Sequence, residues 1–397
     1  DFASEGAEDV QEDNKTIINA SVLGKVFEKI NGYKDGSVFT PAFITMYMCK
    51  QSIRLAVVEK FNETKKWSIN QFDELYNKID DKKEANEIIN SLRICDPAVG
   101  SGHFLVSALN EIIAVKSELG ILIDEKGKTL RDYEIEIVND ELIITDENGN
   151  IIAYNPKNLE SNRVQKTLFQ EKQTIIENCL FGVDINPNSV KICRLRLWIE
   201  LLKNAYYKEE TKFTELETLP NIDINIKCGN SLLSRFPLDA DLSKALKSIK
   251  YDVKAYRGFV NDYKNEKSRD VKRGLQKIID SIKSDFRTEI GNNDPKQIKL
   301  SKLSGELFTL LNQGQIFELT PKEKKLRKEK QSKLEADITK LSKEIEEIKN
   351  NAIFKNAFEW RFEFPEVINN KGEFEGFDLI IGNPPYIRHE EIKHLKP

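Results

Sequence analysis

The spacing of apolar residues divides the N-terminal part of the chain into alternating helices and strands. Apolar residues at helical spacing predict helices over residues 17–30 and 41–59, the second opened by Thr40 as N-cap and Pro41 as its first residue. A short apolar run at residues 93–95 leads through the turn DPAVGSGHF into a periodic helix that continues to Val115. This stretch therefore predicts a strand, a glycine turn and a helix in succession.

The alternation of strands and helices resumes after an inserted segment. Residues 129–154 alternate apolar and polar positions around Asn-Asp and Asn-Gly pairs, which predicts an inserted antiparallel hairpin. A helix ending near residue 178 precedes a second strand in CLFGVDINP, a helix over residues 189–205 follows, and INIKCGNSLL contains a third strand and its turn. Strands that alternate with helices predict a parallel, doubly wound sheet and hence an α/β fold.

Residues 239–350 show no strand pattern and are predicted to be helical. Within them, the spacings 4, 3, 4, 3 from Leu334 to Ile348 resemble a short coiled-coil seam, which we predict to pair with residues 275–286. A fourth strand is predicted at residues 379–381, directly before the segment GNPPY. The sequence thus predicts a long helical insert between the third and fourth strands.

The helical insert is the basic part of an acidic chain. Residues 239–350 hold 26 Lys and Arg against 19 Asp and Glu, so they carry +7, whereas the rest carries −11 of the total −4. A polyanion would meet the insert first, although a solvated helical face explains the same charges. We predict that its phosphate-binding side chains are Lys322, Lys324, Lys325, Arg327 and Lys328.

The composition, 39% hydrophobic and 32% charged residues in 397, is typical of a soluble folded protein. The sequence has no membrane-spanning apolar stretch and no leader pattern in its first 30 residues, so we expect a cytoplasmic protein. The five cysteines are scattered without a CxxC pair, which favours free thiols and predicts no metal site. Because the chain starts at Asp1 rather than Met and stops just after a motif, we expect a piece of a longer protein.

The glycine turn suggests a ligand. Gly100 and Gly102 lie between a strand and a helix, where the backbone can approach a ligand at the helix N-terminus. The spacing differs from the dinucleotide fingerprint GxGxxG, and Asp96 at the strand end favours a cationic group over a pyrophosphate. Asp184 ends the second strand, where a carboxylate can accept hydrogen bonds from two ribose hydroxyls. A ribosyl ligand that carries an ammonium group fits S-adenosylmethionine.

Five motifs in order carry a resemblance to a known family. The chain resembles the gamma-class N6-adenine DNA methyltransferases, particularly the methyltransferase part of type IIG restriction-modification and related phage-defence enzymes. The motifs are Phe39-Thr40-Pro41, Asp96-Pro97-Ala98-x-Gly100-x-Gly102, Gly182-Val183-Asp184, Cys228-Gly229-Asn230-Ser231-Leu232 and Asn383-Pro384-Pro385-Tyr386.

The resemblance implies a Rossmann-like class I S-adenosylmethionine methyltransferase core, with the β-hairpin and helical segments as inserts. It assigns the methionine carboxylate to Thr40, the methionine amino end to Asp96 and the ribose to Asp184. It places Ile185 against the adenine ring and Asn230 at the adenine edge, where many relatives have Asp. The complete cofactor-binding set is Phe39, Thr40, Pro41, Asp96, Ala98, Gly100, Gly102, Asp184, Ile185 and Asn230.

The segment Asn383-Pro384-Pro385-Tyr386 is the predicted catalytic motif. The lone pair of adenine N6 is delocalised into the ring, and acceptors aimed at its two hydrogens would localise that lone pair as the methyl group approaches. The Asn383 amide oxygen and the Pro384 carbonyl are the predicted acceptors, and Pro385 stiffens the loop. Tyr386 would stack on an adenine flipped out of double-stranded DNA.

The predicted organisation has four parts. Residues 1–36 form a lead-in and helix, 37–238 the cofactor-binding part, 239–350 the helical insert, and 351–397 the return to the core with the catalytic motif. We expect the sheet to be incomplete at the C-terminus and a target-recognition domain to lie outside this chain. The sequence does not decide whether the longer protein has a nuclease domain or which oligomeric state it adopts. The alternatives are an RNA base or release-factor glutamine methyltransferase, or a noncatalytic interaction subunit.

Overall fold

The computed structural model consists of two compact units. The first takes the described residues within Asp1–Gly229 and Phe377–Pro397, and the second takes those within Asn230–Gly376. The four sequence segments remain a prediction, and the predicted helix over residues 17–30 lies outside the described part. The structure describes residues 40–217, 225–234, 238, 250–266, 268–292, 295–312, 321–350 and 357–384.

The strands of the described residues form one parallel sheet and one hairpin. The sheet has the strand order β5 (Ile226–Cys228), β4 (Leu180–Asp184), β1 (Ile94–Asp96) and β6 (Leu379–Ile380), and β1 pairs in parallel with both β4 and β6. The order reverses direction beside β1, which is the arrangement of a Rossmann-like sheet, so the predicted fold class is confirmed. The strands are β1 (Ile94–Asp96), β2 (Tyr133–Val138), β3 (Glu141–Asp146), β4 (Leu180–Asp184), β5 (Ile226–Cys228) and β6 (Leu379–Ile380).

Helices of the first unit pack around this sheet. Helix α4 (His103–Glu118) follows the glycine turn and is buried along most of its length, since Leu105, Leu109 and Ile112 are inaccessible to solvent. Helix α6 (Pro187–Leu202) starts two residues earlier than predicted, because Pro187 occupies its first turn and Asn186 caps it by accepting from Asn188 N. The helices are α1 (Ala42–Lys65), α2 (Glu74–Lys78), α3 (Lys82–Asn90), α4 (His103–Glu118), α5 (Leu159–Asn178) and α6 (Pro187–Leu202).

The predicted antiparallel hairpin is present as β2 and β3. Its turn consists of Asn139 and Asp140, whose φ angles of 51° and 65° are the left-handed values that a tight two-residue hairpin turn requires. Asp140 is buried, and its carbonyl accepts a hydrogen bond from Asn110 Nδ2 of α4 at 2.7 Å. The turn therefore docks the insert against the core.

The second unit is mainly helical in its described part. Helix α8 (Arg269–Asn292) packs against α7 (Val253–Asn265) and α11 (Trp360–Glu363). The contact is made by Phe286, whose ring lies 6.0 Å from that of Tyr256 and 5.7 Å from that of Phe362. The elements are α7 (Val253–Asn265), α8 (Arg269–Asn292), α9 (Pro295–Asn312), α10 (Pro321–Asn350), α11 (Trp360–Glu363) and a 3₁₀ turn (Pro365–Val367).

The pairing predicted for the apolar seam of α10 is wrong. The seam residue Leu334 is buried, but α10 packs against α9 instead of the segment 275–286. Lys296 Nζ of α9 lies 3.2 Å from Glu344 Oε2 of α10, and the Arg327 guanidinium donates to the Leu310 carbonyl. The apolar face of α8 is already occupied by the aromatic side chains of α7 and α11, which leaves α9 as the partner.

Within the described part of the chain, no helix combines the length and the apolar character that a membrane crossing requires.

Candidate active site

Three neighbouring strands of the sheet end in polar residues. Asp96 is the last residue of β1, Asp184 is the last residue of β4, and Asn383 follows β6 by three positions. Because β4, β1 and β6 are adjacent and parallel, their carboxyl ends lie along one edge of the sheet. In sheets of this type, ligands bind in the crevice where the strand order reverses, which here lies between β1 and β6.

Asp96 is a carboxylic acid in a nearly inaccessible position. Its exposed fraction is 1%, and its Oδ1 accepts a hydrogen bond from Ala98 N at 3.0 Å. Burial raises the pKa of Asp96 to about 7, and the negative charge of Asp184 adds to this effect. A cation bound beside Asp96 would restore its charged form, so the position suits a cationic ligand.

Asp184 is bonded to the glycine turn. Its Oδ2 accepts from Gly100 N at 2.9 Å, and its Oδ1 accepts from Asn186 N at 2.7 Å. Burial raises the pKa of Asp184 and is the largest influence on it, although the two hydrogen bonds from backbone amides lower it. The backbone amide of the glycine turn thus holds the carboxylate that the sequence assigned to the ribose.

The glycine turn is closely packed against α6. Gly102 has a φ of 85°, and a Cβ built there would lie 2.7 Å from Cys193 Sγ, so a larger residue would displace the turn. Arg196, buried on the same helix, donates from Nη1 to the Ser101 carbonyl at 3.1 Å. Ser101 Oγ in turn lies 2.9 Å from His103 Nδ1. These contacts fix the backbone from which α4 starts.

Gly382 brings the end of β6 against Asp96. A Cβ at Gly382 would overlap Asp96 Oδ1, so only glycine fits between this strand and the carboxylate. The next residue, Asn383, donates from Nδ2 to Thr40 Oγ1 at 3.0 Å. The structure therefore brings together a predicted catalytic residue and a predicted cofactor-binding residue that are 343 positions apart in sequence.

The predicted capping role of Thr40 is wrong. The N-cap of α1 is Pro41, with φ −55° and ψ 140°, and no side-chain cap bond is present there. The Thr40 hydroxyl accepts from Asn383 instead of from the backbone of the helix. The helix starts one residue later than predicted, at Ala42.

The remaining predicted residues are placed as follows. Ile185 directly follows β4 and is 55% exposed, which leaves an apolar surface beside Asp184. Pro384 is exposed at the end of the described segment. Asn230 belongs to the second unit, where its Oδ1 accepts from Leu232 N at 3.1 Å. Phe39, Pro385 and Tyr386 lie outside the described residues.

Sequence reasoning missed three residues that shape the site. Gly382 stood next to the catalytic motif, and a glycine at a strand end is a signal of close backbone approach. Cys193 and Arg196 lie within an apolar helix and gave no local signal, because their role comes from contact with a turn far away in sequence. Among the described residues, no group of three or more His, Cys, Asp or Glu side chains is arranged to hold a metal ion.

A family model decides the classification of the chain. Residues 178–397, more than half of the chain, match the Eco57I restriction-modification methylase. The chain belongs to this family. Residues 72–238 of this Eco57I-family methylase also match the DNA-methyltransferase domain of MmeI. The resemblance to the methyltransferase part of restriction-modification enzymes, drawn from the five motifs, is confirmed.

Two curated relatives of this Eco57I-family methylase are much longer than the chain. RM.MjaORFECS2P of Methanocaldococcus jannaschii, described as a putative type II restriction enzyme and methyltransferase, is 29% identical over 428 residues, which is 96% of this chain and 31% of that protein. RM.Eco57I of Escherichia coli, a type II restriction enzyme and methyltransferase, is 29% identical over 147 residues, which is 37% of this chain and 12% of that protein. The chain thus spans less than a third of the length of either relative.

Proposed function

We propose that this chain transfers a methyl group from S-adenosylmethionine to N6 of adenine in DNA, as the methyltransferase part of a restriction-modification system. The observation that carries the proposal is the alignment of Asp96, Asp184 and Asn383 at one edge of the parallel sheet. The first two are suited to the cofactor, and the third is suited to the target amine. Family membership supports the same activity.

The residues at this edge fit S-adenosylmethionine. Asp96 is buried, and the negative charge of Asp184 raises its pKa further, so a ligand with an ammonium and a sulfonium group would stabilise its charged form. The exposed Ile185 offers an apolar surface to an adenine ring, and Thr40 offers a hydroxyl to a carboxylate. When bound, the cofactor supplies a methyl group that its positive sulfur makes electrophilic.

The target end of the site is formed by Asn383 and Pro384. An amide oxygen and a backbone carbonyl, both held by a stiff proline-containing loop, can accept the two hydrogens of adenine N6 and localise its lone pair. Such acceptors replace a strong general base, because the methyl donor is already activated and the methylated nitrogen, positively charged and acidic, then releases its proton to water. Tyr386 is proposed as the surface on which the flipped adenine stacks.

We expect cofactor affinity to depend on pH through Asp96. In the free protein its pKa is about 7, and a bound ammonium group lowers it, so binding is favoured above pH 7 and weakens as the pH falls through that value. Calorimetric titration with S-adenosylmethionine should therefore give an affinity about tenfold lower at pH 5.5 than at pH 7.0. Titrations in two buffers of different ionisation enthalpy should also reveal proton release.

The matched control for this pH dependence is Asp96→Asn. This variant keeps the size of the side chain but cannot titrate, so it should bind weakly and with a flat profile over the same pH range. A wild-type profile as flat as that of the variant would contradict the proposed contact between Asp96 and the cofactor cation.

The basic start of α10 is proposed to contact DNA phosphates. Lys322, Lys324 and Lys325 are exposed in the first turns of the helix, where positive charge opposes the helix dipole. A phosphate partner would offset this unfavourable placement. Arg327 differs from the others, because it is half-buried and donates to the Leu310 carbonyl.

Neutralising Lys322, Lys324, Lys325, Arg327 and Lys328 should reduce the salt dependence of DNA binding. Each lost phosphate contact lowers the slope of log K against log salt by about 0.9 for duplex DNA. The measurement is a salt titration of nonspecific duplex binding by fluorescence anisotropy. The control variant neutralises five other exposed lysines of the same unit, so that both variants have the same net charge. Equal salt slopes for the two variants would show that the start of α10 is only a solvated face. These controls are Lys299, Lys302, Lys330, Lys333 and Lys340.

We also propose that this chain is part of a longer protein, since it matches only a part of each relative. We propose that a target-recognition domain outside this chain reads the DNA sequence, as the resemblance to type IIG enzymes implies. Transfer of labelled methyl groups to DNA, RNA or release factor distinguishes the proposed activity from the alternative substrates.

A further inference from the structure

We infer that Thr40 is a positioning residue, whose hydroxyl holds the Asn383 side-chain amide in the orientation that transfer to the target nitrogen requires. The inference rests on the proposed function and adds a role for Thr40 beyond contact with the cofactor. Its basis is the hydrogen bond from Asn383 Nδ2 to Thr40 Oγ1, at 3.0 Å.

The chemistry of an asparagine amide makes this bond directional. The amide has its donors on nitrogen and its acceptor on oxygen, so fixing the nitrogen at Thr40 sends Oδ1 to the other side of the Asn383 side chain. That oxygen is the proposed acceptor for a hydrogen of the target amine. A hydroxyl has one donor and two acceptor sites, so Thr40 can accept from Asn383 and still donate to a carboxylate of the cofactor.

The segment that carries Asn383 is held to α1 at both of its ends. Before β6, Asp378 Oδ1 lies 2.8 Å from Lys60 Nζ near the end of α1, and Asp378 Oδ2 accepts from Arg93 N at 2.6 Å. After β6, Asn383 reaches Thr40 directly before the start of α1. These contacts hold β6 against α1, so Thr40 has a fixed position relative to the Asn383 side-chain amide.

Helix α1 is itself anchored to the core, so Thr40 has a stable position. Thr45 Oγ1 lies 2.9 Å from Ser107 Oγ of α4, and Cys49 and Ile53 are fully buried. A hydroxyl presented from such an element loses little entropy when it holds a partner. Replacement of the hydroxyl by a methyl group should leave the helix in place and release only the amide.

The test compares Thr40→Val, which lacks the hydroxyl but keeps the shape, with Thr40→Ser, which keeps the hydroxyl. In single-turnover methylation with saturating S-adenosylmethionine, Thr40→Val should slow methyl transfer about tenfold, as expected for loss of one hydrogen bond that positions a reacting group. Thr40→Ser should retain most of the rate. Thr40→Val combined with Asn383→Ala should be no slower than Asn383→Ala alone, since Thr40 acts through Asn383.

Two results would overturn the inference. One is a Thr40→Val rate equal to that of wild type at saturating cofactor, with only the cofactor affinity reduced. The other is a further loss of about tenfold when Thr40→Val is added to Asn383→Ala, because independent effects multiply.

A spectroscopic measurement tests the bond without any activity. In protein labelled with ¹⁵N-asparagine, the Asn383 side-chain amide resonance is identified by its disappearance in Asn383→Ala. It should shift in Thr40→Val and stay near its wild-type position in Thr40→Ser; an unmoved resonance in Thr40→Val would reject the positioning role. If the resonance shifts in Thr40→Val but the wild-type protein methylates no DNA, the proposed function is contradicted and the bond is confirmed.

Discussion

Replacing Asn383 by alanine should slow methyl transfer by a factor of about 10² to 10³, the usual effect of removing one preorganised partner of a transition state. The amide is proposed to interact with the nitrogen only as the new bond forms, so the loss should fall on the chemical step. Cofactor affinity should stay within about a factor of three of wild type, because binding and transition-state stabilisation are separable quantities. The measurement is single-turnover methylation of an adenine-containing duplex by the natural polypeptide, with cofactor saturated.

The control for this prediction is Asn77→Ala, which removes an exposed amide of the same unit from α2. It should react at the wild-type rate. Full turnover by Asn383→Ala would reject the proposed adenine N6 mechanism. A large fall in cofactor affinity with an unchanged rate constant would move Asn383 from the target end of the site to the cofactor end.

Replacing Asp184 by alanine should weaken binding of S-adenosylmethionine by about 1.5 to 3 kcal/mol, or roughly 10- to 150-fold. The carboxylate is proposed to accept from the ribose hydroxyls, and it also holds the glycine turn through Gly100 N. Both losses act in the same direction. Calorimetric titration of the chain with cofactor measures the effect, with Asp132→Ala as the control for removal of an exposed carboxylate.

Asp184→Asn separates the two contributions. An amide oxygen can still accept from Gly100 N, so the turn should keep its shape while the charged contact with the ribose is lost. We expect an affinity between those of wild type and Asp184→Ala. An Asp184→Ala protein that is folded and binds as tightly as wild type would remove Asp184 from the site.

The sequence predicted the sheet and the hairpin because their signals are local. Strand, glycine turn and helix follow one another around Asp96, and the Asn139-Asp140 pair can adopt the left-handed angles of a tight turn. The partner predicted for α10 was wrong for a physical reason. An apolar stripe from Leu334 to Ile348 shows that the helix needs a partner, but α8 and α9 both offer apolar residues, and only the aromatic packing around Phe286 decides between them.

The candidate site was predictable in part for the same reason. Asp96 and Asp184 were predicted because each stands at the end of a strand, and Asn383 because it belongs to the motif NPPY, which resembles that of a known family. Their mutual arrangement depends on contacts over long distances in sequence, such as Asn383 with Thr40 and Gly382 with Asp96. The capping role assigned to Thr40 failed because the pattern Thr-Pro before a helix does not reveal a competing partner 343 residues away.

The central claim is that methyl groups pass from S-adenosylmethionine to adenine N6 in DNA. The most direct measurement incubates the natural polypeptide with labelled cofactor and duplex DNA, digests the product to nucleosides and separates them. We expect to find the label in N6-methyladenine, and we expect Asn383→Ala to reduce it greatly. Label in a methylated cytosine, in RNA or in protein, with none in adenine of the DNA, would contradict it.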